Sequence, residues 1–277
     1  MSALTVNFNA SATQATVDLT NTNNSLNSLI GQLSSGLQIQ NAADNPAGYV
    51  SAGLLGDQAA GYGVDITNAQ DGVSMLQTVQ GALNQVSSIL QQMQQLAYSS
   101  ANSGTTDAAA MSANQQEFAA LSNDLNQIAG STKFGSEVLL GGNYSGTFQI
   151  GTGTGSNSQL AISFQTGVST TALSLTTVSV GTQSDATTAI TALSSAMNTV
   201  DNIAGYAGAT QNELTDVVNN LTVGQENLQA AQAQIQDVNF AQASTALAAQ
   251  QVLLQSGSAE LANAQAEPAT LLHALGL

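Results

Sequence analysis

The stretch LQTVQGALNQVSSILQQMQQLA, residues 76–97, decides the fold of this chain. Its apolar residues recur at alternating spacings of three and four, and six of them define what we call the bundle seam: Leu76, Val79, Leu83, Val86, Leu90 and Met93. This alternation is typical of a helix that packs lengthwise along another helix. We expect the helix to begin near Asp65, an acceptable N-cap residue, and to continue to about Ser99.

Heptad spacing recurs in the second half of the chain. One apolar series covers residues 190–207 and another covers residues 214–238, both with spacings of three and four. The two registers do not join smoothly across Gln211, so we expect a stutter there. A shorter helix is expected over residues 108–129, with Gly130 as its end.

Each end of the chain carries a single apolar stripe. Six leucines define the two stripes, with seven residues from one to the next: Leu19, Leu26 and Leu33, then Leu247, Leu254 and Leu261. An isolated helix with one stripe is marginal in water, so each end needs the other end or a neighbouring molecule. We therefore predict that these leucines form an assembly interface. The alternative is a long helical bundle with no role in assembly.

The middle of the chain has a different composition. Residues 141–185 are rich in Gly, Ser and Thr, and short alternating runs at 148–150 and 160–164 predict a β-hairpin. A third strand is expected near residues 173–180. The predicted fold is mainly α, an elongated antiparallel helical bundle or coiled-coil rod built from both chain ends, with a small central β-hairpin region. Ends that depend on each other are natural for a polymer subunit.

The charge balance excludes several classes of function. The 277 residues include 17 acidic side chains, one Lys, no Arg and one His, for a formal net charge of −16. Nucleic acids and anionic membranes attract Lys and Arg, so neither is an expected partner. The apolar runs are shorter than the roughly 18 residues that span a bilayer.

Catalytic chemistry also lacks its usual residues. The chain has no Cys, and its single His273 lies in an apolar tail. It has no His-Glu-x-x-His zinc motif, and the glycines of residues 151–155 are not followed by the Lys of a phosphate-binding loop. We therefore expect no catalytic, cofactor-binding or metal site, and we predict that the chain is not an enzyme.

Four segments in the right order carry a family resemblance. Residues 33–48 read LSSGLQIQNAADNPAG, residues 90–102 read LQQMQQLAYSSAN, and residues 114–140 end in a Leu-Leu pair. Residues 230–277 contain Gln-Ile-Gln-Asp at 234–237 and a Leu-rich end. Together these segments resemble the conserved ends of bacterial flagellins, which is a far more specific match than one short motif.

The resemblance implies a structure and a function. It implies a terminal coiled coil of residues 1–43 and 236–277, a helical bundle of residues 44–140 and 186–235, and a β-hairpin or variable region at 141–185. It further implies a secreted structural protein that self-polymerises into the flagellar filament for motility, outside the cell. The implied partners are other copies of the chain, the flagellar export apparatus and its chaperone, and the cap and hook-junction proteins.

Two related functions compete with this interpretation. A hook–filament junction protein shares such helical ends, but the chain length and the complete flagellin-like carboxy terminus disfavour it. A secreted coiled-coil adhesin is expected to carry a signal peptide or an anchor. The sequence MSALTVNFNASATQ has neither a basic start nor an apolar core, so we expect export without a cleaved signal peptide.

The departures from the family pattern are systematic. Gln stands repeatedly where the family usually has Arg, at Gln32, Gln38, Gln92, Gln94, Gln211 and Gln234. By resemblance, vertebrate flagellin receptors of the Toll-like family engage the helix at residues 89–97, with Arg as a central contact. The receptor-recognition equivalents are Leu90, Gln92, Leu96 and Glu117, of which the position of Gln92 has lost the Arg. The resemblance therefore implies weakened receptor recognition.

Overall fold

The computed structural model describes the backbone of residues 9–102, 104 and 106–274, and the side chains of these residues as far as position 266. This part of the chain contains five α-helices: α1 (Ala10–Ser35), α2 (Pro46–Ala101), α3 (Ala108–Ser131), α4 (Gln183–Gln236) and α5 (Phe240–Ala274). It also contains two antiparallel hairpins, formed by β1 (Lys133–Phe134) with β2 (Glu137–Val138) and by β3 (Tyr144–Gln149) with β4 (Gln159–Phe164). The mainly α fold class with a small central β-hairpin is confirmed.

Contacts divide the chain into two compact units. One unit comprises Met1–Asp57 and Asn227–Leu277, and the other comprises Gln58–Glu226. We call them the terminal unit and the central unit. Helices α2 and α4 each contribute residues to both units.

Helix α2 begins much earlier than the sequence pattern suggested. It starts at Pro46 and Asn45 caps it, because Asn45 Oδ1 accepts a hydrogen bond of 3.0 Å from the backbone N–H of Gly48. Proline suits the first helical position because its missing N–H is unpaired there in any case. The expected start near Asp65 is therefore wrong, and Asp65 lies inside the helix.

The glycines of α2 explain why this longer helix is stable. Glycine in a helix interior costs about 1 kcal/mol relative to alanine. Here a Cβ on Gly61 would lie 2.6 Å from Thr152 Cγ2, and one on Gly72 would lie 2.8 Å from Leu214 Cδ1. Close packing therefore requires glycine at these positions, and the contacts that it permits offset the cost.

Helix α4 is also continuous, so the expected stutter across Gln211 is wrong. Its buried residues recur at spacings of three and four without interruption: Ala186, Ala189, Leu193, Ala196, Val200, Ile203, Ala207, Thr210 and Leu214. The sequence pattern had placed the half-buried Met197 and Ala204 in this seam. The small residues Ala196 and Thr210 occupy the seam instead, so its spacing of three and four continues unbroken to Leu214.

Helix α3 matches its expected position more closely. It begins at Ala108 after Asp107, whose Oδ1 accepts a hydrogen bond of 2.7 Å from Ala110 N, and it ends at Ser131. Gly130 is therefore inside the helix and does not end it. Phe118 and Leu125 are buried on its inner face.

The larger hairpin lies where the alternating runs predicted it. Strand β3 pairs with β4 in a register that places Phe148 opposite Leu160, and Ile162 and Phe164 are buried. The Tyr144 hydroxyl donates to Met75 Sδ at 3.0 Å. Burial raises the pKa of Tyr144, and the charge of Glu137 raises it further.

The expected third strand is wrong, because residues 173–180 form turns. Leu173 and Leu175 are buried at the spacing of a strand, but Val180 is also buried and breaks this alternation. Side chains of α3 satisfy backbone N–H groups of this region. Asn126 Oδ1 accepts from Thr170 N at 2.9 Å, and a second α3 amide, that of Gln115, accepts from the Val180 backbone. These bonds replace the pairing that a neighbouring strand would have provided.

Candidate assembly surfaces

The terminal unit is built on an antiparallel pair of helices, α1 and α5. Asn9 Nδ2 donates to Ala264 O at 2.6 Å, and Leu19 Cδ1 lies 3.0 Å from the position that a Cβ on Gly257 would occupy. Each helix of the pair carries one of the two predicted stripes. All six stripe leucines are half-buried: Leu19, Leu26, Leu33, Leu247, Leu254 and Leu261.

Backbone contacts close the pair at the end of α1. Gly36 adopts a left-handed conformation with φ of 76°, and its N–H donates to Gln32 O at 2.9 Å. The chain that follows pairs with the segment between α4 and α5, since Val238 N donates to Gly36 O at 2.9 Å and Leu37 bridges Asp237. These contacts hold the end of α1 beside the start of α5.

The terminal unit exposes large apolar side chains. No residue of α1 is fully buried. Several apolar side chains of the unit are 44% to 63% exposed: Val17, Ile30, Tyr49, Val50, Leu54, Phe240, Val252 and Leu253. Exposed apolar side chains in such number along long helices indicate contact with other molecules.

Unlike the stripe leucines, the residues of the bundle seam lie in the interior of the central unit. All six of its residues are at most 1% exposed and belong to the main hydrophobic core of the central unit. They pack with the buried side of α4, which includes Leu193 and Val200. Burial on this scale, at about 25 cal/mol per Å² of apolar surface, stabilises the fold of the subunit itself. These residues are not on the surface.

The receptor-recognition equivalents divide between core and surface. Leu90 is fully buried and Leu96 is half-buried, whereas Gln92 and Glu117 are exposed. Gln94 donates to Ser194 Oγ at 3.4 Å and so contacts α4. Of these four residues, Gln92 and Glu117 are therefore the most accessible to a partner.

Neutral amides hold the helices together where other proteins use ion pairs. Gln80 Nε2 donates to Gln211 Oε1 at 2.8 Å between α2 and α4, and Gln225 Nε2 donates to Ala59 O at 3.0 Å. In the terminal unit, Gln236 Nε2 donates to Ile39 O at 3.3 Å. Because the chain has one Lys and no Arg, few ion pairs can form between its helices. Amides carry no proton that titrates near neutral pH, so these bonds persist across a wide pH range.

The burial of one acidic residue was not predicted from the sequence. Asp65 is buried inside α2, its Oδ2 has no hydrogen-bond partner among the residues that the structure describes, and burial raises its pKa above the ordinary range for a carboxyl group. The sequence carried a weak signal, because helical spacing places Asp65 on the same face as Ala69 and Leu76.

Two properties of the described residues bear on membrane insertion and on metal binding. None of the helices in this part of the chain is long and apolar enough to cross a membrane. Within the same residues, no group of three or more His, Cys, Asp or Glu side chains lies close enough together to hold a metal ion. The side chain of His273 lies outside the described residues.

Comparison with known families decides the identity. Residues 6–145 match the model of the bacterial flagellin N-terminal helical region, and residues 190–275 match that of the C-terminal helical region. The chain belongs to the bacterial flagellin family. This flagellin is therefore a structural subunit of the flagellar filament, which is extracellular. The matched residues include α1, α2, α3 and α5 and all of α4 from residue 190 onwards.

Individual relatives agree with this assignment. A flagellin of Bacillus subtilis is 30% identical over 306 residues, which cover 98% of this chain and 99% of that protein. A flagellin of Halalkalibacterium halodurans is 32% identical and covers 88% of this chain and 89% of its own length. Flagellin E of Vibrio cholerae is 40% identical, but the match covers 58% of this chain and 42% of that protein.

A solved structure shows the same fold. The crystal structure of Bacillus cereus flagellin matches with a TM-score of 0.50 and 26% sequence identity. The match covers 60% of this chain and 94% of the other. The helical fold is therefore shared with a flagellin of known structure, and neither the junction protein nor the adhesin is favoured.

Proposed function

We propose that this flagellin self-polymerises through its terminal helices, with the six stripe leucines as the seam on which assembly depends. The observation that carries the proposal is the α1–α5 pair, whose seam is only half-buried and whose outer faces expose Val17, Val252 and Leu253. A neighbouring subunit would remove this apolar surface from water. Burial of apolar surface is the dominant favourable term in protein association.

The domain organisation is part of the same proposal. Residues 1–43 and 236–277 would form the inner coiled coil of the filament, and residues 44–140 and 186–235 the surrounding bundle. Residues 141–185 would form the hairpin and variable region. The division of the subunit by its own contacts makes the terminal unit longer at both boundaries, since it extends to Asp57 and begins again at Asn227.

Seeded polymerisation tests the proposal directly. Purified subunits are added to short filament seeds, and growth is followed by light scattering and electron microscopy. We expect long filaments that contain this chain alone. A junction protein or an adhesin would not elongate the seeds, so a lack of growth at subunit concentrations that suffice for other flagellins would contradict the proposal.

The remaining partners follow from family membership. We propose that the flagellar export apparatus and its chaperone deliver the chain without cleavage of a signal peptide, and that the cap and hook-junction proteins receive it. An intact-mass measurement on subunits from isolated filaments tests the absence of cleavage. We also propose that the chain has no enzymatic activity, because the assembly surfaces are apolar and amide-rich.

The marginal stability of the terminal helices leads to a prediction about the free subunit. We expect α1 and α5 to be largely unfolded in the monomer and helical in the filament, because neither helix has a core of its own. A protease of broad specificity should remove both helices from the monomer at least about tenfold faster than from the filament. Trypsin is unsuitable, because Lys133 is its only site. Equal rates in the two states would contradict the prediction.

A second prediction concerns recognition by vertebrate flagellin receptors, which we propose to be weakened. Gln92 is exposed but lacks the charge and the bidentate geometry of Arg. We expect Gln92→Arg to increase receptor activation about tenfold in a reporter-cell assay, as one charge-assisted hydrogen bond would. Gln91→Arg is the matched control, since Gln91 is exposed beside it and the added charge is the same. Equal gains from both variants would show that net charge, not this contact, limits recognition.

A further inference from the structure

Asp65 is a buried carboxyl group in the middle of a long helix. It is 4% exposed, and its Oδ2 is enclosed without a hydrogen-bond partner among the described residues. A buried polar atom without a partner is rare in proteins and unfavourable, and the penalty is much larger for a charge than for a neutral group. Asp65 therefore occupies a position where the neutral, protonated form suits the fold better than the ionised form.

The residues one and two turns away show what covers Asp65. Gly61 lies against Thr152, Asn68 Nδ2 donates to Gln149 O at 3.2 Å, and Gly72 lies against Phe148 and Leu214. Positions three and four apart lie on one face of a helix. Asp65 is therefore on the face of α2 that the end of the β3–β4 hairpin and α4 cover.

The described residues that cover Asp65 contribute no cation that could neutralise it. The hairpin contributes Gln149, Ile150 and Thr152, which do not titrate. Helix α4 contributes the acidic residues Glu213 and Asp216, which line a groove of about 610 Å³ together with Ile150. The single Lys of the chain, Lys133, belongs to the separate β1–β2 hairpin. Protonation is therefore the available way to remove the charge.

We propose that Asp65 is a proton-binding site that strengthens the docking of the β3–β4 hairpin on α2 as the surroundings become acidic. The proposal concerns the subunit itself and does not depend on polymerisation.

The sign of the effect follows from linkage. Because burial raises the pKa of Asp65, the folded subunit holds its proton at pH values where the unfolded chain has released it. The ionised side chain lowers stability at neutral pH, and this penalty disappears as pH falls through the folded pKa towards the ordinary value for aspartate. Each unit by which folding raises the pKa changes the unfolding equilibrium constant about tenfold.

The experiment compares the full-length subunit with Asp65→Asn, which keeps the shape of the protonated acid and cannot ionise. Urea unfolding of the monomer is measured at about pH 7 and about pH 4, together with amide hydrogen exchange of the hairpin at pH 7. We expect Asp65→Asn to unfold several-fold less readily at pH 7, with slower exchange at Ile150, which bonds to Ser158 O at 2.8 Å. At pH 4 most of this advantage should be lost.

The matched control is Asp71→Asn on the same helix, because Asp71 is exposed. It removes the same charge from the chain, so it reports the effect of net charge alone. Asp65→Ala is a second variant, in case the new amide packs poorly. The proposal is overturned if Asp65→Asn and Asp65→Ala leave the pH dependence of stability unchanged, or if Asp71→Asn changes it equally.

Discussion

Subunits that carry Leu254→Asp should fail to elongate filament seeds while their central unit stays folded. Leu254 lies in the seam between α1 and α5 and is half-buried before any second subunit is present. A carboxylate there loses the apolar contacts of the leucine and places a charge in a packed helix pair. A loss of about 2 kcal/mol or more raises the critical subunit concentration about 30-fold or more.

The measurement is seeded elongation, followed by light scattering, with urea unfolding of the free subunit to check the central unit. Gln251→Asp is the charge-matched control, because Gln251 is exposed on the same helix one turn earlier. We expect this variant to elongate at a rate within a few-fold of the parent. Normal filaments from Leu254→Asp, or equal inhibition by both variants, would show that the seam is not what assembly depends on.

The helices could be predicted because heptad spacing is a strong signal over long segments. The bundle seam repeats for about three heptads, and every one of its residues lies in the core of the central unit. The alternation in β3 and β4 was shorter, but Gly and Ser between the runs marked the turn. In both cases the local pattern and the tertiary packing agree.

The start of α2 could not be predicted, because it depends on contacts with residues that are distant in the sequence. Five glycines between residues 48 and 63 argue against a helix when only intrinsic propensity is considered. For two of them, the reason appears only when the neighbours are known. A Cβ on Gly48 would lie 2.6 Å from Ile39 Cδ1, and one on Gly61 would lie 2.6 Å from Thr152 Cγ2, which is far away in sequence.

The third strand expected after the β3–β4 hairpin was wrong for a related reason. Residues 173–180 have the alternation and the β-branched residues of a strand. The structure uses the same buried side chains in turns, including Ser174 with a positive φ of 58°. The side-chain oxygens of Asn126 and Gln115 on α3 accept hydrogen bonds from the backbone on either side of these turns and stabilise them. A single-sequence pattern contains no information about such distant partners.

The half-burial of the stripe leucines on α1 and α5 could be predicted from their spacing, whereas their role in assembly stays a prediction. The exposed Val252 and Leu253 could not be predicted, since they lie outside the seven-residue spacing of the stripe. The burial of Asp65 was likewise concealed, because an aspartate before a strong apolar pattern resembles an N-cap. In each case the sequence shows the residue type, whereas the environment is set by another element.

The last prediction concerns the pH range of the filament. Each subunit carries a formal charge of −16, so stacked copies repel one another at neutral pH. Salt screens this repulsion within about 10 Å at 0.1 M. We therefore expect seeded assembly at pH 7 to be faster at about 0.5 M salt than at low salt.

The pH dependence has the opposite sign from that of a protein held together by ion pairs. Crowding of like charges favours proton binding in the polymer over the free subunit, so polymer stability should increase as pH falls through the range where carboxylates titrate, near pH 4. Acid should break few of the side-chain hydrogen bonds between helices, because amides such as those of Gln80 and Gln211 form them. Asp65 affects the folding stability of the subunit in the same direction, because burial within the subunit raises its pKa, but it does not contribute to the pH dependence of assembly.

Light scattering of seeded assembly between about pH 3 and pH 8, at low and at high salt, measures both effects. We expect filaments to persist at least to about pH 4 and the benefit of salt to shrink as pH falls, because protonation removes the charge that salt screens. The sedimented fraction after acidification gives the pH at which filaments dissociate. If filaments dissociate as pH falls below about 5 and salt brings no benefit at pH 7, then hydrogen bonds accepted by ionised carboxylates between subunits outweigh the repulsion, and the prediction is wrong.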